Sequence, residues 1–307
     1  MLWKSPFPGQ IMHKTEFDHF IDIDGVNYHY REIPGGKEKV VMLHGFASST
    51  YTWEQIDRRL AKLGCHVYSL DMRGFGWSDK PVGGDYTPDT LMEEVRAWME
   101  ALKLKDVTFV GNSLGGGIAC MLAFSYPKLV KRLVLIDAGG QRMKLPSIIR
   151  LFRLPFAQGV GRMFFGRWIV RLILREVCYH KNWVTDEQVE EYFQRMSTFN
   201  AVGSQISFAR TIDFELYEIY MQRLREIPQK TLVIWGKNDA WIPLSHGYSL
   251  QAKLPDAELA VIPECGHIPQ EEKPEVVLRL IHDFIRGKDL RRGACAELGV
   301  EFPVTAN

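Results

Sequence analysis

The sequence predicts an α/β fold: a mainly parallel sheet covered by helices on both faces, with a helical segment inserted before the last strands. Three observations carry this reading. The runs Val67–Leu70, Val107–Val110, Leu133–Ile136, Leu232–Trp235 and Leu259–Ile262 are short and apolar apart from Ser69 and Thr108, as strands buried on both faces are. Helix-like stretches alternate with them, as crossovers between parallel strands require. The alternation stops near Gly140 and resumes at Thr231, and the residues between, rich in Arg, Phe, Leu and Tyr, read as helical.

In chain order, Phe20–Ile23 and Val26–Tyr30 flank Asp24-Gly25, a hairpin signal, and Val40–Leu43 is a third apolar run. After Val67–Leu70 a helix is expected from Pro88 to Leu102, with Thr87 placed to cap it and Pro88 suited to its first turn. Val107–Val110 leads into a helix from Leu114 to Tyr126, and Leu133–Ile136 is the next strand. Beyond the inserted segment, Leu232–Trp235, a helix near Leu244–Leu254 and Leu259–Ile262 complete the alternation. The closing helix, Glu272 to Arg286, gathers Val276, Val277, Leu280, Ile281, Phe284 and Ile285 into one stripe, with Pro274 in its first turn. The tail from Lys288 to Asn307 has weak periodicity and is expected to be a peripheral appendage.

Composition narrows the classes. With 307 residues, 46% hydrophobic and 24% charged, the chain can bury a core without staples. A net charge of +1 gives no reason to expect nucleic acid. Cys65, Cys120, Cys178, Cys265 and Cys295 are scattered and odd in number, which argues against a disulfide framework or a zinc site and for reduced thiols. Met1–Gln10 holds no apolar run of signal-peptide length, and no stretch has the length of a membrane span. The expected location is the cytoplasm.

Gly111-Asn112-Ser113-Leu114-Gly115 matches Gly-x-Ser-x-Gly. A serine on a sharp strand-to-helix turn is strained, and glycines let strand and helix approach while the hydroxyl is pushed out beside a helix N-terminus. Chance produces such a pentapeptide in roughly one chain in ten of this size, so context has to decide. The strand immediately before and the helix immediately after supply it.

A serine hydroxyl needs an adjacent base. Among nine histidines, His267 follows the last strand directly, in Cys265-Gly266-His267, at the sheet end where ligand-handling loops gather. His44 is the rival, with a structural task in its loop as the simpler reading; the others fall in strands, helices or peripheral segments. The orienting acid should also follow a strand, which selects Asp239 in Gly236-Lys237-Asn238-Asp239, with Asp137 one strand earlier as the competitor. Asp71, in Asp71-Met72-Arg73-Gly74, reads as half of a loop-stabilising pair. An oxyanion hole requires two donors: the N–H of Leu114 is one and that of Phe46, in His44-Gly45-Phe46, the other. His44, Gly45, Asn112 and Ile268 are assigned to the substrate pocket, between the inserted segment and the sheet, where Phe46 and Leu114 can bury an acyl or aryl group. This chemistry calls for a small-molecule substrate and no cofactor or metal.

On these residues the chain resembles the α/β-hydrolase superfamily. The matching pieces are Leu43-His44-Gly45-Phe46, the run from Asp71 to Ser78, Gly111 to Gly116, Trp235 to Asp239, and Gly266-His267, and the order Ser113, Asp239, His267 is the superfamily's. The resemblance implies an eight-stranded, mostly parallel sheet, a core made of residues 1–140 and 227–287, a helical cap at 141–226 and a tail at 288–307. Haloalkane dehalogenases and epoxide hydrolases are similar around the His-Gly loop but use an aspartate nucleophile, so Ser113 points elsewhere. Carboxylesterases and the carbon–carbon hydrolases of aromatic ring-fission products are the subgroups that fit. The latter commonly carry tryptophan directly after the catalytic histidine; here that residue is Ile268, which favours carboxylic ester hydrolysis. A ligand-sensing receptor on the same scaffold is the alternative of a different class.

Between Asp137 and Glu176 there is no acidic residue, while Arg142, Lys144, Arg150, Arg153, Arg162, Arg167, Arg171 and Arg175 are basic. Arg167, Arg171 and Arg175 share one helix face. The simplest reading is a solvated arginine face on a packed cap helix; contact with a membrane surface or guidance of an anionic substrate are the sharper ones. Oligomeric state is left open.

Overall fold

In the computed structural model, the described residues are 14–157, 159, 165–198, 200–212, 214–292 and 298–303, with residues 3–4, 11–12, 214 and 216 described in backbone only. Cys295 and Arg162 lie outside them. Eight strands form one sheet: β1 Asp18–Ile23, β2 Val26–Ile33, β3 Glu38–Leu43, β4 Cys65–Leu70, β5 Val107–Asn112, β6 Val130–Ile136, β7 Lys230–Gly236 and β8 Ala257–Ile262. Their order is β8-β7-β6-β5-β3-β4-β2-β1. β1–β2 and β2–β4 are antiparallel, and every other pairing is parallel. The β1–β2 turn is Asp24-Gly25, both with positive φ (53° and 80°), the backbone that a two-residue hairpin demands.

All six residues of β5 are buried, as are the last four of β3, β6 and β8, because helices cover both faces. One face packs under α1 (Asp57–Lys62) and the closing helix, the other under α2 (Pro88–Ala101), α3 (Leu114–Ser125) and α9 (Leu244–Lys253). Thr87 caps α2 as expected, its hydroxyl accepting from the Thr90 N–H. The closing helix is broken: α10 (Pro269–Glu272) ends at Lys273, and α11 (Pro274–Ile285) starts afresh. Proline at the first position of α11 cannot donate the N–H that would continue α10, so the expected start at Glu272 moves to Pro274.

Between β6 and β7 the chain is helical, as expected: α4 (Ser147–Phe152), α5 (Arg167–Val177), α6 (Asp186–Met196), α7 (Ala201–Thr211) and α8 (Phe214–Gln222). α6 opens with a reciprocal capping box between Thr185 and Gln188. In α5, Val170, Leu174 and Val177 are buried, whereas Trp168, Leu172 and Arg175 face outward. Two arginines of the stripe are not free: Arg167 pairs with Glu190 and Arg171 with Asp186, both on α6. An exposed pair of this kind contributes little stability, and it withdraws two of the three charges from any outside partner.

The tail is a correction to the sequence reading. Leu290 and Val300 are buried, and Glu301 exchanges two backbone hydrogen bonds with Val261 (2.8 and 2.9 Å), so the chain returns to protect the β8 edge. A single bridge of this kind leaves no periodicity to read. The Asp71 loop also differs. Asp71 accepts from the Thr50 and Trp77 N–H groups and meets His29 Nδ1 at 2.7 Å, while Arg73 pairs with Glu94. Burial alone would raise Asp71, but the His29 ring holds it well below the usual carboxylate range. The expected Asp71–Arg73 partnership is therefore an Asp71–His29 one, made across β2, which local spacing does not reveal.

Candidate active site

The loops that follow β3, β5, β7 and β8 emerge at the carboxyl end of the parallel sheet, where crevices form beside a reversal of strand order. Ser113 directly follows β5 with φ 53° and ψ −117°, a left-handed conformation that is costly for a residue with a side chain. Its surroundings enforce the turn. Ser113 N–H donates to Ile136 O (3.0 Å), and Ser113 O accepts from Gly139, Gly116 and Gly117. A Cβ on Gly111 would stand 2.3 Å from Gly115 O, and one on Gly115 the same distance from Leu43 O. Only glycine permits this approach of strand and helix.

The Nδ1 of His267 lies 2.7 Å from Asp239 Oδ2, and Asp239 Oδ1 accepts from the N–H groups of Trp241 (2.7 Å) and Ile242 (3.0 Å). Since the carboxylate only accepts, Nδ1 carries the proton and Nε2 is left as an acceptor. The His267 N–H donates to Val177 O (2.8 Å) at the end of α5, so the inserted helices hold the histidine loop directly. Ser113 and His267 face one cavity. Gly45, Phe46, Ala47 and Ser48 from the β3 loop, Asn112, Trp241 and Ile268 line it from the sheet side; Val170, Ile173, Leu174, Val177, Tyr192 and Met196 line it from α5 and α6. It is narrow, with about 30 Å³ open to the centre of a water-sized sphere, and the helical roof bounds what it can admit. The structure thus brings Ser113, His267, Asp239, Phe46, Gly45, Asn112 and Ile268 to one place.

Two assigned residues sit differently. His44 does not line the cavity: its Nδ1 meets Gly45 O at 2.7 Å, its Nε2 accepts from the Met72 N–H at 3.1 Å, and burial pushes its proton affinity down. With both nitrogens engaged, it braces the Phe46 loop and has nothing left to offer a ligand. The Leu114 side chain is likewise part of the sheet core and not of the cavity wall; its expected role belongs to its backbone N–H alone. Asn112 reaches the cavity, but its amide donates to Ile136 O and His267 O (3.1 Å each), tying the β5 turn to the histidine loop.

Sequence reasoning expected the inserted segment to wall the pocket but named none of the residues that α5 and α6 contribute. The Val170, Leu174, Val177 stripe, spaced i, i+4, i+7, was a detectable signal beside the arginine face of the same helix. Nothing local marks Tyr192, whose hydroxyl donates to Glu271 at 2.5 Å. Glu271, on α10, also accepts from Thr52, and burial raises it from 4.5 to about 7. Asp137, the competitor for the acid, also lies here: Asp137, Asp239 and His267 each place a polar atom within 4.8 Å of the others.

Comparison with known proteins agrees with this architecture. The family model described as alpha/beta hydrolase fold matches residues 39–274. The chain is 29% identical over 263 residues to a 2-hydroxy-6-oxo-6-phenylhexa-2,4-dienoate hydrolase of Burkholderia cepacia, covering 82% of this chain and 88% of that protein. Among solved structures, a meta-cleavage product hydrolase from Pseudomonas fluorescens superposes with a TM-score of 0.73 at 26% identity, over 88% of this chain and 97% of that one. Est816, described as an N-acyl homoserine lactone degrading enzyme, does so with a TM-score of 0.67 at 26% identity, over 87% and 100%. The sheet order, the strained serine turn after β5, the histidine loop after β8 and a family match from β3 through that loop have one reading: the chain is a hydrolase-type member of the α/β-hydrolase fold family.

Proposed function

We propose that this protein is a serine hydrolase that cleaves carboxylic esters of neutral, hydrophobic acyl or aryl substrates through an acyl-enzyme on Ser113. In this reading His267 Nε2 takes the Ser113 proton as the hydroxyl oxygen attacks the ester carbonyl. Asp239 holds Nδ1–H and stabilises the imidazolium. The N–H groups of Phe46 and Leu114 receive the oxyanion, His267 returns the proton to the leaving alkoxide, and a water activated by the same nitrogen releases the acid. Residues 1–140 and 227–287 serve as the core, 141–226 as the cap over the site and 288–307 as the tail.

The cavity wall carries the choice of substrate. Among the described residues that line it there is no lysine or arginine, and most are apolar. The ionisable group directly behind Tyr192 is another acid, Glu271. A dienoate brings a carboxylate that such a wall leaves without a cationic partner, and burying an unpaired charge is strongly unfavourable. A neutral ester loses nothing there. The second reading, carbon–carbon hydrolysis of 2-hydroxy-6-oxo-dienoates, draws on what the relatives are named for. Aryl esters of increasing chain length and a 2-hydroxy-6-oxo-dienoate, each given to wild type and Ser113→Ala, separate the two. Ester turnover exceeding dienoate turnover and vanishing in Ser113→Ala is expected; faster dienoate turnover overturns the ester reading.

A further inference from the structure

We propose that Asp137 is held as a neutral carboxylic acid whose O–H donates a hydrogen bond to the Asp239 carboxylate, which makes it a positioning residue for the Asp239–His267 pair. The inference rests on the reading of that pair given above. Asp137 directly follows β6 with φ 43°, a left-handed backbone fixed by its N–H donating to Ile234 O at 3.0 Å. The side chain is fully buried. Its Oδ1 accepts from the Gly236 N–H at 3.0 Å, whereas its Oδ2, equally buried, has no hydrogen-bond partner among the described residues as long as it is a bare acceptor.

The two carboxyls compete for one negative charge. Asp239 receives three donors, from Trp241, Ile242 and His267; Asp137 receives one. Like charges this close do not both ionise, and the charge settles where the donors are. The groups facing Asp137 from its neighbours are Asp239 from the β7 loop, His267 and Cys265 from the β8 loop, and Glu272 on α10. Burial, then Asp239, pushes its proton affinity well above the ordinary carboxyl range. Once protonated, Oδ2 is a donor and Asp239 is the acceptor beside it. That bond draws charge away from the oxygens that His267 sees and fixes the orientation of the Asp239 carboxylate.

Asparagine can reproduce the arrangement, its oxygen accepting from Gly236 and its NH₂ donating to Asp239; alanine cannot. Three measurements on wild type, Asp137→Asn and Asp137→Ala test it, with urea unfolding to confirm that each variant is folded. In the infrared difference between wild type and Asp137→Asn at pH 8, a carboxylic-acid C=O stretch should be lost. Loss of a carboxylate band in its place refutes the proposal, and this readout stands whether or not esters are substrates. For the turnover substrate, the acid limb of the kcat/KM profile should stay in place in Asp137→Asn. It should rise by roughly 0.5–1 pH unit in Asp137→Ala, because the undiluted Asp239 charge then favours the imidazolium. A downward shift in both variants means that Asp137 was ionised and overturns the inference, as does an asparagine variant that behaves like alanine. If Asp137→Ala fails to fold, the infrared difference and the asparagine profile decide.

Discussion

Replacing Glu271 with glutamine should make the protein more stable at alkaline pH, and the size of the effect follows from the site. Glu271 is 3% exposed, with Thr52 and Tyr192 as its donors and the Glu272 and Glu54 carboxylates nearby. Burial raises it from 4.5 to about 7. A folded state that binds this proton more tightly than the unfolded chain gains stability that is fully present below about pH 4.5 and lost as the pH rises to about 7 and beyond. At about 1.36 kcal/mol per pH unit, that interval amounts to about 3 kcal/mol. Glutamine has no proton to lose, and its carbonyl can accept the same two hydroxyl donors. Urea unfolding of both proteins at pH 5, 7 and 9 isolates this contribution. Asp57, which burial raises to about 6, also titrates in the window, but it does so equally in both proteins and drops out of the difference. The stability advantage of Glu271→Gln over wild type should widen by about 3 kcal/mol from pH 5 to pH 9. Parallel stability curves would refute the argument, since they would mean that Glu271 ionises as readily in the fold as in water.

Tyr192→Phe removes the 2.5 Å hydrogen bond to Glu271. At pH 9, where that acceptor is charged, urea unfolding should register a loss of about 1.5–3 kcal/mol, shrinking at pH 5 where the acceptor is neutral; a loss that does not vary with pH speaks against a charged acceptor. Gly45→Ala would bring a Cβ to 2.9 Å from the Ser113 Cβ and 3.1 Å from Asn112 Oδ1. Steady-state kinetics should show kcat/KM reduced by roughly tenfold or more, because displacement of the nucleophile by a fraction of an ångström is costly; unchanged kinetics would count against Ser113 as the reacting group.

The layered fold was legible because its determinants are local. Strands such as Val107–Val110, with apolar residues on both faces, call for cover on both sides, and their alternation with helices makes a parallel sheet the way to provide it. Gly111 and Gly115 flanking Ser113, and Asp24-Gly25 in the hairpin, are backbone requirements written into residue identity. The candidate site was legible for the same reason wherever its residues follow strands directly, as Ser113, Asp239 and His267 do. What stayed hidden depends on where distant segments meet. Tyr192 and Glu271 are far apart in the chain, and their hydrogen bond exists only once the fold brings one residue of α6 to one of α10. His29 reaches Asp71 across β2, and Glu301 finds the β8 edge only after the chain has turned back.

The acid illustrates the division most directly. The sequence alone offered Asp137 and Asp239 as alternatives, since both follow strands at the same end of the sheet. The tertiary structure places both beside His267 and separates them by their donors: Asp239 turns one oxygen to two backbone N–H groups and the other to the imidazole, while Asp137 receives a single N–H and its second oxygen is given no donor by the described residues. Residue order determines which carboxyls reach the site. Which of them can hold a charge there is a matter of burial and hydrogen bonding, and those exist only once the sheet has assembled.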